Sequence, residues 1–239
     1  MQNLLEEIIK QKNITTVFQP IFNVERKHIV GYEALTRGPE NSELHSPEVL
    51  FSLATEYGLV SELEILCRDN AIKQFAELRL DGKLFLNVSP MILLDPDHPQ
   101  GKTVKMVEDS GLSCDQIVIE ISEKYPIPSN DLLYQALNKY RQFGFEVAID
   151  DLGAGYSGLK QWSVLRPDIV KIDRYFVADC HRDIIKKEFL RTIFELGRST
   201  NAQVIAEGIE TQEEFNLLSE LGLVYAQGYL LAKPSSVPS

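Results

Sequence analysis

The chain has 239 residues, of which 44% are apolar and 25% charged, the balance of an ordinary globular protein. Its 24 Lys and Arg stand against 35 Asp and Glu, and the formal net charge of -11 argues against a protein that coats nucleic acid by neutralising phosphates. A small phosphate-bearing ligand needs a local reversal of that field, which a metal ion supplies.

In chain order, Met1 to Gln11 is an amphipathic stretch carrying Glu6 and Glu7, without the apolar segment of a signal peptide. It reads as a connector, residues 1–13, to a sensor or regulatory domain outside this chain. No apolar run approaches the roughly 18 residues of a membrane span, so a cytoplasmic setting is expected. Strands are expected at Thr15 to Phe22 and Lys27 to Glu33. Only Asn23 to Arg26 separate them, too few for a crossover, so this pair is an antiparallel hairpin. Ser46-Pro47 and Ser61-x-x-Glu64 then read as helix starts.

Strands follow at Lys83 to Asn87 and Gln116 to Glu120, and Leu132, Leu133, Ala136, Leu137 and Tyr140 form one helical stripe ending near Gly144. Further strands are expected at Glu146 to Asp150, Asp168 to Lys171, Gln203 to Glu207 and Leu223 to Gln227. Between them lie a stripe of Phe189, Leu190, Ile193, Phe194 and Leu196, a capping box at Thr211-x-x-Glu214, and a stop at Gly222. Near-continuous apolar runs such as Leu84-Phe85-Leu86 suit strands buried on both faces. Eight strands in 239 residues, about 30 per unit, match a strand, a helix and two turns. The expected architecture is one α/β domain over residues 1–239, a TIM-like (β/α)8 barrel whose first strand runs antiparallel. Cys67, Cys114 and Cys180 have no metal-binding or disulfide spacing and read as reduced thiols.

In such barrels the chemistry sits at the C-terminal ends of the strands. Those ends here are Gln19 (near its strand's end), Glu33, Asn87, Glu120, Asp150 with Asp151, Lys171, Glu207 and Gln227. Ordinary polar residues at a solvent boundary explain a few of these, not the whole set in register. Glu33, Asn87, Glu120 and Asp150 are the oxygen donors that Mg²⁺ or Mn²⁺ prefers. Asp150, Asp151 and Glu207 point to a second ion about 3.5–4 Å away. Asp151 can face the site only if the chain turns there, which the following glycines permit. Lys171, inside this acidic ring, would orient water or steady charge at phosphorus. Gly153-x-Gly155-x-x-Gly158 imitates a dinucleotide fingerprint, but the helix after it has room for barely two turns before Pro167. His28, His45, His98 and His181 fall away from the strand ends.

These residues carry a resemblance. Glu33-Ala34-Leu35 with Arg37, Asn87-Val88-Ser89-Pro90, Glu120-x-x-Glu123 and Asp150-Asp151-Leu152-Gly153-Ala154-Gly155-Tyr156-Ser157 resemble the EAL family of bacterial cyclic di-GMP phosphodiesterases. Lys171-Ile172-Asp173, Ala206-Glu207-Gly208-Ile209-Glu210 and Gln227-Gly228-Tyr229 complete the ordered set from Phe18 to Pro234. The resemblance implies hydrolysis of cyclic di-GMP to linear 5'-pGpG with two divalent cations, Mg²⁺ or Mn²⁺, and a homodimer. It implies that Glu33, Asn87, Glu120 and Asp150 hold the first ion and Asp150, Asp151 and Glu207 the second. Lys171 would contact the attacking water and Glu123 brace the loop beginning at Asp151. Gln19 and Arg37 would contact substrate, with Asp173, Glu210 and Gln227 as further substrate or supporting positions. Thr36, Gly38, Leu152 and Gly158 depart from the family's usual residues without removing a ligand. Two alternatives are a receptor of the same fold that captures cyclic di-GMP uncut, and a barrel enzyme that uses Lys171 and a carboxylate for proton abstraction beside one Mg²⁺.

Overall fold

The structure, a computed structural model, describes residues 1–94, 100–122, 129–155 and 158–238. Strands β1 (Thr15–Asn23), β2 (His28–Arg37), β3 (Lys83–Asn87), β4 (Ile117–Ser122), β5 (Glu146–Leu152), β6 (Ile169–Ile172), β7 (Gln203–Ala206) and β8 (Tyr225–Ala226) close into a barrel in sequence order. β1 is antiparallel to both β2 and β8, while β2 through β8 run parallel. The expected barrel with one reversed strand is the observed fold.

Strand ends differ from the expected ones for identifiable reasons. β2 continues past Glu33 to Arg37 because β1 still pairs with it there, Thr15 opposite Arg37, whereas β3 pairs only with Gly31 to Glu33. Glu33 therefore lies inside its strand yet at the rim of the barrel. β7 and β8 stop one residue short of Glu207 and Gln227.

Helices α1 (Gln2–Gln11), α2 (Pro47–Glu56), α3 (Val60–Glu77), α4 (Pro90–Leu93), α5 (Gln100–Ser110), α6 (Asn130–Gln142), α7 (Gly158–Leu165), α8 (Arg174–Val177), α9 (Ile184–Thr200) and α10 (Gln212–Glu220) accompany the barrel. The main core lies between strands and helices, where Phe75, Leu84, Ile119, Leu137, Val170 and Leu190 are buried. A second apolar cluster joins Leu5 and Ile8 of α1 to Leu50, Ala54, Leu63 and Leu66 of α2 and α3. Thr211 and Glu214 form the expected capping box of α10, but Ser61 does not begin a helix. α3 already starts at Val60, and Glu64 accepts the backbone amide of Ser89 at 3.2 and 3.3 Å instead. Leu132 is exposed, off the buried stripe that Leu133, Ala136, Leu137 and Tyr140 form. No helix among the described residues is long and apolar enough to cross a membrane.

Inside the barrel a floor is built from Ile21, Phe85, Val118, Ala148, Ile169 and Ile205, with Tyr225 against it. Gly31 belongs to this level because the Phe85 ring fills its space: a Cβ there would lie 2.9 Å from Phe85 Cε2. Side chains two apart on a strand share a face, so each floor residue fixes what projects inward at the next level toward the mouth. That next level reads Gln19, Glu33, Asn87, Glu120, Asp150, Lys171, Glu207 and Gln227. An apolar layer thus carries a polar one.

Candidate active site

The polar layer converges on Lys171. Its Nζ lies 2.9 Å from Glu33 Oε2, 2.8 Å from Glu120 Oε1, 2.7 Å from Glu207 Oε1 and 3.3 Å from Asp150 Oδ1. The lysine and Glu120 are both 0% exposed, so this is a buried charge centre and not a surface network. Glu33 is held further by Asn87 Nδ2 at 3.1 Å and Gln227 Nε2 at 2.8 Å. Gln227 also donates to Gln19 Oε1 at 3.1 Å, and Gln19 to the carbonyl of Ala232 at 3.3 Å.

One ammonium faces four carboxylates. Burial works to raise Glu33, but the Lys171 charge and bonds from Lys171, Gln227 and Asn87 outweigh it and hold the group below its ordinary value. Burial pushes Glu120 and Glu207 well up, and Asp150 up, with neighbouring carboxylates adding to it and Lys171 opposing. Burial alone would lower Lys171, yet Asp150, Glu120, Glu207 and Glu33 together raise it well above normal. The ring is short of positive charge.

Asp151 reaches this centre by a local irregularity. β5 and β6 slip register between Ile149 and Leu152, and Asp151 adopts φ +58, the left-handed region that Asp tolerates better than most residues. Two adjacent acids, which a regular strand would send to opposite faces, are thereby brought to one side. Asp150, Asp151 and Glu207 each offer an oxygen within 4.8 Å of the others. Ser122, two residues beyond Glu120 and hence on its face, donates to Asp151 Oδ2 at 3.0 Å.

These residues fit a divalent cation. The donors are hard oxygens, Glu120 Oε2 is buried with no hydrogen-bond partner among the described residues, and a cation would relieve the charge deficit. A cavity of about 640 Å³ opens beside the ring, lined among others by Arg37, Glu64, Asn87, Ser89, Met91 and Ser122.

The structure brings Gln19, Glu33, Asn87, Glu120, Asp150, Asp151, Lys171, Glu207 and Gln227 together. Arg37 sits at the cavity, where its Nη1 donates to the carbonyl of Thr36 at 2.8 Å. Asp173 is engaged in capping α8, through the amide of Tyr175 at 2.8 Å, and Glu210 pairs with Arg174 at 2.7 Å. Glu123, His98, Tyr156 and Ser157 lie outside the described residues. Sequence reasoning missed Ser122, although its spacing of two from Glu120 marks it. It also missed Glu64 and Arg174, whose partners are far along the chain and leave no local signal.

The family model for the EAL domain matches residues 1–234. The chain belongs to the EAL domain family. A relative, the probable cyclic di-GMP phosphodiesterase PdeI of Escherichia coli K12, is 33% identical over 225 residues, covering 91% of this chain and 28% of that protein. The chain spans about a third or less of the length of the first curated relatives it matches. Among solved EAL structures, a standalone EAL protein from Vibrio cholerae O395, in its c-di-GMP bound form, is 30% identical with a TM-score of 0.83, covering 93% of this chain and 92% of that one. Klebsiella pneumoniae BlrP1, in a manganese/cy-diGMP complex, is 30% identical with a TM-score of 0.85, covering 93% of this chain and 56% of that one. A calcium/cy-diGMP complex of BlrP1 matches at 29% identity, with the same TM-score and coverage.

Proposed function

We propose that this EAL domain hydrolyses cyclic di-GMP to the linear dinucleotide 5'-pGpG, using two divalent cations, Mg²⁺ or Mn²⁺, and in-line attack by water. The observation that carries the reading is the meeting of Asp150, Asp151 and Glu207 within 4.8 Å beside the Lys171 ring. Relatives named as cyclic di-GMP phosphodiesterases, and EAL structures solved with that nucleotide and manganese, support it.

In this reading Glu33, Asn87, Glu120 and Asp150 would hold one cation, and Asp150, Asp151 and Glu207 the other. Such cations lower the pKa of a bound water and offset charge on the phosphate and the leaving oxygen. The chain's own residues do the rest. Lys171, anchored by Glu33, Glu120 and Glu207 at 2.7 to 2.9 Å, keeps one ammonium at the centre, where it orients the attacking water. Gln227 and Asn87 fix the Glu33 carboxylate, so its orientation does not depend on the ligand. Arg37, at the cavity edge, supplies a permanent cation to the nucleotide, and Gln19 a neutral contact. Glu123 is assigned the bracing of the loop beginning at Asp151. Net negative charge is no obstacle, because bound cations dominate the local field.

The test is turnover of cyclic di-GMP by the purified chain. Hydrolysis is expected with Mg²⁺ or Mn²⁺ and is lost in excess chelator. Ca²⁺, which takes more and longer bonds, is expected to occupy the site and inhibit. Tight capture of intact nucleotide with Mg²⁺ and Mn²⁺ both present would overturn the reading in favour of a receptor.

A further inference from the structure

Arg174, the first residue of α8, joins the ends of β6 and β7. Its guanidinium donates through Nη1 to the carbonyl of Gly208 and pairs through Nη2 with Glu210 Oε2 at 2.7 Å. Gly208 turns with φ +65, and a Cβ on it would lie 2.8 to 2.9 Å from Cβ, Cγ and Cδ of Arg174. The arginine stem therefore fills the space a side chain would need, while its head spans the turn.

That turn begins at Glu207, the residue before Gly208 and the first beyond β7. The Glu207 amide donates to the carbonyl of Ile172 at 3.2 Å, so the sheet fixes the chain on the side before Glu207. On the side after it, the chain leaves the sheet in a left-handed turn that Arg174 grips at Gly208, and the Ile209 amide donates to the carbonyl of Gln227 at 3.2 Å to close the turn from the β8 side. The opposite flank of α8 meets the other half of the acidic cluster: the Phe176 ring packs directly on Gly153, two residues after Asp151. One short helix thus touches both segments that deliver carboxylates to the cluster.

We propose that Arg174 is a positioning residue that fixes Glu207 beside Asp150 and Asp151 and so sets the affinity of those carboxylates for a divalent cation. The inference rests on the phosphodiesterase reading above. A half-exposed ion pair alone contributes little. The distinction here is that one planar, always-charged head engages a carbonyl and a carboxylate of the same turn at once, which a lysine cannot reproduce.

The experiment measures Mn²⁺ binding by calorimetry, and cyclic di-GMP turnover at varied Mn²⁺, in the unmodified chain and in R174A, R174K, E210Q and R141A. Arg141 is the control, an arginine that also bridges carbonyls, those of Leu165 and Arg166 just before β6, at the opposite end of the barrel. In R174A one of two Mn²⁺ sites is expected to weaken by about 10–100-fold, the range for losing a group that orients a ligand. At limiting Mn²⁺ its kcat falls, KM for the nucleotide moves by no more than about twofold, and added Mn²⁺ restores the rate. R174K and E210Q, each losing part of the grip, fall between, and R141A keeps both Mn²⁺ affinities. Gly208→Ala weakens the same site, and by a smaller factor when combined with R174A, because Cγ and Cδ of the colliding stem are gone and only Cβ remains. Wild-type affinity for both ions in R174A overturns the inference; should R174A fail to fold, wild-type affinity in both R174K and E210Q overturns it. An unmodified chain that binds fewer than two ions refutes the phosphodiesterase reading and this inference with it. An unmodified chain that binds two and hydrolyses, matched by R174A, refutes the inference alone.

Discussion

Replacing Lys171 by Met keeps the length of the buried side chain and removes the charge that four carboxylates share. Glu33, Glu120 and Glu207 then lose a partner at 2.7 to 2.9 Å, and Asp150 one at 3.3 Å. Removing one member of a buried ionic cluster typically costs about 3–5 kcal/mol, because the remaining charges are left uncompensated. For a chain of this size each kcal/mol moves the melting temperature by about 2–4 °C, so K171M should melt about 6–20 °C lower in chelator. The deficit depends on pH with a definite sign. Glu120, Glu207 and Asp150 are already raised by burial, with Lys171 opposing, and losing the lysine raises them further. A group raised on folding contributes stability that is present at low pH and lost as pH rises through its folded value. The K171M deficit is therefore larger at about pH 8 than at about pH 5.5. Mn²⁺ should recover more stability in the variant than in the unmodified chain, while turnover stays absent. The assay is thermal unfolding by circular dichroism at both pH values, with chelator and with Mn²⁺. K171M melting at the wild-type temperature at pH 8 in chelator would show that the ring does not depend on its central cation.

Two further outcomes follow from the same geometry. E33A is expected to abolish turnover and weaken Mn²⁺ binding while the barrel still folds, since the residue sits at the rim; wild-type turnover with unchanged metal content would remove Glu33 from the site. Burial raises Glu64 to about 7, against Arg68 and the Ser89 amide, so its ionisation destabilises the fold as pH climbs from about 4.5 through 7. E64Q cannot titrate, and its stability relative to the unmodified chain should rise by up to about 3 kcal/mol between about pH 4.5 and 8 in urea unfolding; a constant difference refutes this.

The barrel and most of its polar layer were legible because both depend on local rules. Strand spacing of about 30 residues fixed the barrel, and the four residues between β1 and β2 fixed the reversed strand. The period of two then put Asn87, Glu120, Asp150, Lys171 and Glu207 at one level, each two residues beyond an apolar floor residue. Asp151 was legible as a requirement, that the chain turn there, and the register slip with φ +58 is how the requirement is met. Tertiary contacts were not legible. Ser61 and Glu64 have the spacing of a helix start, and only the amide of Ser89, on a segment 25 residues away, takes Glu64 out of that role. Arg174 looks like any surface arginine, and its grip on Gly208 spans 34 residues. The resemblance implies Asp173 and Glu210 as substrate or supporting positions, and only the structure shows the contacts they make, one capping α8 and the other pairing with Arg174.

The most direct measurement of the central claim is hydrolysis of cyclic di-GMP in ¹⁸O-enriched water with Mn²⁺, analysed by mass spectrometry. Attack of water at phosphorus with departure of the 3'-oxygen predicts a linear dinucleotide that carries a single ¹⁸O on its 5'-phosphate. Nucleotide recovered intact, or a product whose label lies elsewhere, would contradict it.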